Sequence, residues 1–204
     1  MSQILHVLQA ARLKGRPSES DLAAAAGLAD TEISVVVESL IAAGEVERVG
    51  IRVKLTTAGR ARLDTLLAAE RAAIDQALLR QRYHDFDDVN TDFKQLVTDW
   101  QLIDGVRPND HTDAEYDARI VARLADLHVR FAPLLATFIE LAPRLSEYPN
   151  RFASAVEKVQ SGDPTWFARP LIDSYHTVWF ELHEELIGLA GLSRVREAAA
   201  GRAE

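Results

Sequence analysis

The sequence contains no cysteine, so disulfide bonds and thiolate metal ligands are excluded. No apolar run approaches the roughly 20 residues of a membrane-spanning helix, and the N-terminal stretch lacks the apolar block and cleavage site of a signal peptide. A glycine-rich phosphate loop, a nucleophile elbow and an HExxH motif are also missing. We therefore expect a cytoplasmic protein that is not an enzyme, has no membrane partner and needs no cofactor.

The net charge of −8 is distributed unevenly along the chain. Residues 1–80 contain ten basic and ten acidic side chains, so the whole excess of acid lies in residues 81–204. A neutral N-terminal part followed by an acidic C-terminal part is typical of two domains with different roles. We expect one domain over residues 1–82 and a second over residues 83–204.

Apolar spacing predicts three helices in the first 44 residues. The second helix is short, with Ser18 or Ser20 as its N-cap. Asp30 or Thr31 caps the third helix, and Gly44 ends it. The side chains of the third helix that are expected to face the core are Ile33, Val36 or Val37, Leu40 and Ile41.

A β-hairpin and a long helix are predicted next. One strand begins at Val46, Gly50 supplies the turn, and Val53 and Leu55 alternate with basic residues in the return strand. Thr56 or Thr57 then caps a helix. The apolar spacing of that helix continues to about Arg82, which predicts a long linker helix between the two domains.

The order of three helices, the last two joined by a tight turn, followed by a hairpin is that of a winged helix-turn-helix domain. The segments SESDLAAAAGLADTEISVVVESLIAAGEVER and VKLTTAGRARLD resemble the MarR-type winged helix regulators. In that family a wing strand leads into an LT-x-x-G-R pattern. The resemblance covers residues 1 to about 70 and implies binding to double-stranded DNA as a homodimer.

The resemblance makes the helix that starts near Asp30 the recognition helix and the hairpin the wing. The candidate DNA-binding residues on the recognition helix are Thr31, Glu32, Ser34 and Val35. Those on the wing and the following helix are Arg48, Arg52, Lys54 and Arg60, with Arg62 close by. A further basic cluster precedes the second helix at Arg12, Lys14 and Arg16.

The recognition helix carries no lysine or arginine, although arginine, asparagine and glutamine are the usual readers of base edges. Two hypotheses therefore stay open. The chain is a DNA-binding transcriptional regulator whose wing contacts phosphates, or it is an accessory protein that uses the winged helix to dock on another protein.

From Tyr83 onward the pattern predicts an all-α helical bundle without strands, for dimerisation and effector binding. Thr112 and Glu115 form a capping-box pattern before a long helix. The last helix is expected from about Leu171 to Leu189, followed by a C-terminal tail that frays. Together with the first domain, this gives a mainly α protein.

Inward-facing aromatic and histidine residues of the second domain are either its core or a pocket for a small-molecule effector. The candidate ligand-binding residues are Trp100, His128, Tyr175, His176, Trp179 and His183. A metal site formed by Asp173, His128, His176 and His183 is the weaker alternative, because seven-residue spacing places two rings about 10 Å apart along a helix. Glu181 and Glu185 are expected to point into solvent.

Overall fold

The computed structural model describes residues 3–192 and Glu197. The described chain is mainly helical and divides into two compact units, Met1–Ile74 and Asp75–Glu204. The division falls eight residues before the boundary expected from the sequence. None of the helices in the described part of the chain is both long and apolar enough to cross a bilayer.

The first unit consists of three helices, an antiparallel hairpin and a fourth helix. Its elements are α1 (Gln3–Lys14), α2 (Glu19–Ala26), α3 (Asp30–Ala42), β1 (Val46–Val49), β2 (Arg52–Leu55) and α4 (Thr57–Ala73). Ser18 caps α2 by accepting from the Asp21 amide, and the Asp21 carboxylate accepts from the Ser18 amide. This reciprocal pair satisfies two amides that a helix start would otherwise leave open.

The N-cap of α3 is Ala29, and the prediction of Asp30 or Thr31 was therefore wrong. The Glu32 carboxylate accepts from the Ala29 amide at 3.0 Å, which satisfies the backbone at this position without a capping side chain. Of the predicted inward positions, Ile33, Val37 and Leu40 are buried. The core of this unit is completed by residues of the other elements, including Leu8, Leu22, Val46, Val53, Leu55 and Leu63.

The junction between β2 and α4 explains the residues of the LTTAGR segment. Thr56 caps α4 by accepting from the Gly59 amide at 3.1 Å, and its hydroxyl lies 2.7 Å from the carbonyl oxygen of Gly44. A Cβ on Gly59 would lie 1.9 Å from the carbonyl oxygen of Glu45. The threonine and the glycine of this segment are therefore needed by the fold itself.

The single helix expected from Thr57 to about Arg82 was wrong, because α4 ends at Ala73. Ile74 has an extended backbone, and the Asp75 carboxylate accepts from the amides of Ala77 and Leu78 to start a new helix. Apolar residues continue at helical spacing through this point, so their spacing gives no sign of a break. The break is instead made by Asp75, which acts as the N-cap of a new helix.

The second unit contains five further helices and one very short hairpin among the described residues. Its elements are α5 (Gln76–Gln101), β3 (Leu102–Ile103), β4 (Arg107–Pro108), α6 (Ala114–Leu141), α7 (Tyr148–Gln160), α8 (Thr165–Ala168) and α9 (Tyr175–Leu189), with a 3-10 turn at Pro143–Leu145. The expectation of no strand in this unit was therefore wrong.

Two helix starts in this unit differ from those expected. Asp113 caps α6 by accepting from the Tyr116 amide, so Thr112 is not the N-cap. Ser174 caps α9, which therefore begins after the expected Leu171. Leu171 itself has a positive φ of 68°, which is incompatible with a right-handed helix.

The helix α9 is buried over most of its surface, with Phe180 as an exposed exception. It packs against α5, α7 and α8, while α5 and α6 pack against each other. Aromatic rings fill the space between these helices, led by Phe86, Phe93, Phe131, Phe152 and Trp179. Apolar burial of this kind is the main stabilising contribution to such a bundle.

Candidate functional sites

The exposed face of α3 is acidic and already partly engaged within the first unit. Thr31, Glu32 and Glu38 are exposed, and Val35 is 71% exposed. Ser34 is half-buried, and its hydroxyl donates to Glu19 at 2.8 Å. This hydrogen bond is the largest cause that lowers the pKa of Glu19. Thr31 and Val35 are thus the predicted contact residues of α3 whose side chains stand open.

Arg48 links α2, α3 and the hairpin. Its Nη2 atom lies 2.6 Å from carboxylate oxygens of both Glu19 and Glu38. Arg48 is paired with Val53 in the hairpin, so its side chain leaves on the same face as the buried Val53. The guanidinium is therefore engaged in ion pairs that bridge α2 and α3, although the sequence suggested a contact with phosphate.

The other side of the hairpin carries Arg52 and Lys54. Lys54 lies 3.0 Å from Glu47 on the neighbouring strand. Arg52 donates from Nη1 to the Arg16 carbonyl at 2.8 Å, and the Val53 amide donates to the Pro17 carbonyl at 2.8 Å. These bonds place the segment before α2 beside β2, so Arg16 and Arg52 become neighbours although they are 36 positions apart.

Four arginines of the first unit are exposed and form no ion pair with any carboxylate in the described chain. We call them the open arginines, and they are Arg16, Arg52, Arg60 and Arg62. Arg48 and Lys54, by contrast, are each paired with glutamate. Arg52 and Lys54 share one face of the hairpin, but only Lys54 lies opposite a glutamate, so the register of the strands decides which of the two is paired.

Three of the six predicted ligand residues meet around Phe93 in the second unit, and a fourth, His128, contacts one of the three. The ring of Phe93 lies 4.4 Å from that of Trp179, 5.6 Å from Tyr175 and 6.0 Å from His176. His128 lies near Tyr175, with its Nδ1 atom 3.4 Å from the hydroxyl oxygen. Trp179 donates to Asn90 at 2.9 Å. Tyr175 and Trp179 are fully packed, so they belong to the core.

Trp100 is placed apart from that group. Its ring stacks on Phe167 at 4.3 Å and lies 4.4 Å from the ring of His111. The Asp117 carboxylate lies 3.0 Å from the Nδ1 atom of His111, which fixes the loop before α6. The rings of Phe167 and His111 therefore cover Trp100 at a place apart from the other predicted ligand residues.

His183 is buried and belongs to a chain of hydrogen bonds with Tyr83 and Glu197. Its Nε2 atom lies 3.1 Å from the Tyr83 hydroxyl, and that hydroxyl donates to Glu197 at 3.1 Å. Because the tyrosine has only one hydroxyl proton, Nε2 of His183 must be the donor in the first bond. Glu197 is 1% exposed, so the expectation of a frayed tail fails at this residue. The other residues after Leu192 lie outside the described part.

The four metal candidates do not form a site. Among residues 3–192 and Glu197, no group of three or more histidine and carboxylate side chains is arranged to hold an ion. Asp173 instead accepts from Arg151 at 2.8 Å, and His183 is occupied by Tyr83.

Two buried ion-pair groups were missed by the sequence analysis. Arg144 lies 2.7 Å from Glu185, and Arg151 lies 2.6 Å from Glu181 while also binding Asp173. Glu181 and Glu185 are each 3% exposed, so the expectation that they point into solvent was wrong. Burial alone lowers the pKa of Arg151, but Glu181 and Asp173 outweigh it and raise that pKa. Arg144 and Arg151 lie outside α9, and the spacing of residues within one helix does not predict ion pairs with another segment of the chain.

A groove of about 620 Å³ runs between the outer faces of α5 and α6. Its charged walls pair with residues of the same two helices, as Asp92 does with Arg130 and Arg123 with Asp99. None of the six predicted ligand residues lines this groove.

Lowering the pH should destabilise the second unit through His128. Burial lowers the pKa of His128 below its usual 6.5, so protonation favours the unfolded chain. The stabilising contribution is complete above about pH 6.5 and is lost as the pH falls toward the folded-state pKa. We expect His128→Gln to lose less stability between pH 7.5 and 5.5 than the wild type, measured by urea unfolding. An equal loss would contradict this, and the exposed His84→Gln is the matched control.

No model of a known protein family, no curated protein and no solved structure matches this chain. Its function is therefore inferred from the residues and contacts of the two units themselves.

Proposed function

We propose that the first unit is a winged helix-turn-helix domain that binds double-stranded DNA, and that the chain is a transcriptional regulator. The observation that carries the proposal is the juxtaposition of Arg16 and Arg52, which joins two basic segments on one surface of the hairpin. The order of helices and hairpin and the resemblance of residues 1 to about 70 to MarR-type regulators support it.

In this proposal α3 is the recognition helix and β1–β2 is the wing. The open arginines contact phosphates, which supply much of the affinity of a protein for DNA. The methyl groups of Val35 suit a thymine methyl, and the Thr31 hydroxyl can bond to a base edge. Because the α3 face also carries Glu32 and Glu38, base readout is weak and most of the binding energy comes from the backbone.

The remaining parts of the proposal concern assembly and control. We propose a homodimer, so that two recognition helices meet the two halves of a site, and an effector that binds in the second unit and shifts their spacing. A monomer by sedimentation at high protein concentration would contradict the dimer.

Replacing Arg60 and Arg62 together by alanine tests DNA binding with little risk to the fold, because neither side chain has a partner among the described residues. We expect weaker binding and a salt dependence whose slope falls by about 0.9 for each lost phosphate contact. The measurement is fluorescence anisotropy against DNA from upstream of the gene and against random DNA, over a salt series. Arg130→Ala, in the second unit, is the control, and equal slopes for variant and wild type would count against phosphate contacts.

A second candidate is favoured by the acidic face of α3. Glu32, Glu38 and the exposed Val35 suit a protein partner better than a phosphate backbone. Under this hypothesis the chain is an accessory protein, and it binds no DNA even at low salt. Charge reversal at Arg52 and Lys54 would then leave its activity unchanged, whereas in a DNA-binding regulator the same change abolishes binding.

A further inference from the structure

The helix α6 carries apolar residues on its solvent-facing side as well as on the side that faces the core. The solvent-facing ones are spaced alternately by four and by three residues. Val129, the largest of them, is 71% exposed, and only Ala125 is half-buried. We call this row the α6 seam, and it consists of Ala118, Ala122, Ala125, Val129, Ala132 and Ala136. Such spacing over several turns is typical of a helix that packs lengthwise against another helix.

Two exposed charged residues border the seam and form no ion pair with any other residue of the described chain, Arg119 and Asp126. The guanidinium of Arg119 lies 5.6 Å from the centre of the Tyr116 ring on its own helix. Arg119 and Asp126 are seven residues apart, about 10 Å along the axis, so they cannot pair with each other. By contrast, Arg123 and Arg130, which lie further from the seam, are paired with carboxylates of α5. One edge of the seam therefore offers an open positive and an open negative charge.

These two charges distinguish the ways in which a second α6 could lie on the seam. In a parallel pair of helices, Arg119 and Asp126 would fall opposite Ala114 and Val121 of the second copy, which carry no charge. In an antiparallel pair, the edges that carry Arg119 and Asp126 face each other. The charges of this edge are therefore complementary to those of a second copy only when the helices run in opposite directions.

One antiparallel alignment pairs the opposite charges. It places Ala122 opposite Ala125 of the second copy and Ala118 opposite Val129, so that Arg119 meets Asp126 once on each side of a two-fold axis. A shift of seven residues in either direction would place one of the two charges opposite its own equivalent, and such like-charge contacts are unfavourable. The apolar spacing and the charges thus favour the same alignment.

We propose that the α6 seam is the surface on which a second copy of this chain docks, with the two α6 helices antiparallel and Arg119 of each copy bound to Asp126 of the other. The inference rests on the proposed function in one respect, since it gives the proposed homodimer its interface. The alanine side chains let the two helices approach closely. The groove between α5 and α6, which Asp126 and Val129 help to line, borders the contact.

Charge reversal tests this pairing at exposed positions. Arg119→Glu places carboxylates opposite each other in the dimer, so sedimentation should give a dimer dissociation constant at least about tenfold higher than that of the wild type. Asp126→Arg should have the same effect. The double variant Arg119→Glu with Asp126→Arg exchanges the charges and should restore the wild-type value. Arg80→Glu, a reversal at an exposed position of α5, is the matched control and should leave the dissociation constant unchanged.

Because the chain contains no cysteine, disulfide formation can report the alignment of the helices. Ala118→Cys and Val129→Cys are prepared as separate proteins, and each is oxidised alone and in the mixture. The proposed alignment brings residue 118 of one copy opposite residue 129 of the other, so the mixture should form a covalent dimer. Each protein alone should not, because its two cysteines would lie about 16 Å apart along the axis. A disulfide spans at most about 7 Å between Cα atoms.

A chain that stays monomeric at every concentration would overturn the proposal, as would a double variant that dimerises no better than its two parents. Cross-linking of each single-cysteine protein with itself would show parallel helices and exclude the alignment. A dimer that none of these changes affects would use another surface, which refutes this interface and leaves the homodimer standing. All of these measurements omit DNA, so their failure and a failure of DNA binding are separate results.

Discussion

Replacing Arg151 by methionine is expected to lower the free energy of unfolding of the second unit by about 3–5 kcal/mol. The substitution leaves Glu181 buried at 3% exposure without the guanidinium that lies 2.6 Å from it. A buried carboxylate without its partner keeps the cost of desolvation and loses the attraction that offset it. Urea unfolding followed by tryptophan fluorescence measures the effect, since Trp100, Trp166 and Trp179 all lie in this unit.

Removing both charges should recover much of the loss. In the double variant Arg151→Met with Glu181→Leu, no ion remains at the Glu181 position, and apolar side chains of similar size fill the space. Arg130→Met is the matched control, because its ion pair with Asp92 is largely exposed and such pairs contribute about 0–1 kcal/mol. If Arg151→Met costs no more than Arg130→Met, the buried pair does not stabilise this unit.

Replacing Gly59 by alanine should have the largest effect in the first unit. The added Cβ would lie 1.9 Å from the Glu45 carbonyl oxygen, which is backbone and cannot rotate away. Overpacking at ordinary core positions costs about 1–3 kcal/mol, and a backbone collision should reach or exceed the upper value. Denaturation followed by far-UV circular dichroism, with hydrogen exchange at the Val53 amide, measures the loss.

Gly188→Ala is the control of opposite sign. Gly188 lies within α9, where an added Cβ would meet no atom of the described residues within 4 Å. Alanine is favoured over glycine inside a helix by about 0.5–1 kcal/mol, so this variant should be slightly more stable than the wild type. A Gly59→Ala protein as stable as the wild type would show that the junction between β2 and α4 can shift to admit the methyl group.

Features that depend on a few neighbouring residues were predictable from the sequence. The turn at Gly50 is confirmed, and of the two caps predicted at each helix start the structure has Ser18 rather than Ser20 and Thr56 rather than Thr57. The break at Ile74 was missed because apolar residues continue at helical spacing through it. The prediction relied on that spacing and did not take Asp75 as an N-cap.

The sites were less predictable, because they depend on contacts between distant segments. A strand period of two already places Arg48 on the same face as the buried Val46, so the side of the hairpin that it occupies was readable from the sequence. The neighbourhood of Arg16 and Arg52 was not readable, since it depends on a bridge across 36 positions. The same holds for Tyr83 and Glu197, which are 114 positions apart.

The buried ion pairs also decide how α9 can slide along its neighbours. Val178, Leu182 and Leu186 repeat every four residues, so a slip of four residues, about 6 Å, would replace each by another aliphatic residue. The same slip would carry Glu185 to the place of Glu181 and bring Leu189 opposite Arg144. One guanidinium would then be buried without a carboxylate, at a cost of about 3–5 kcal/mol. The charges thus act together with the buried rings of Tyr175 and Trp179 in selecting one alignment of α9.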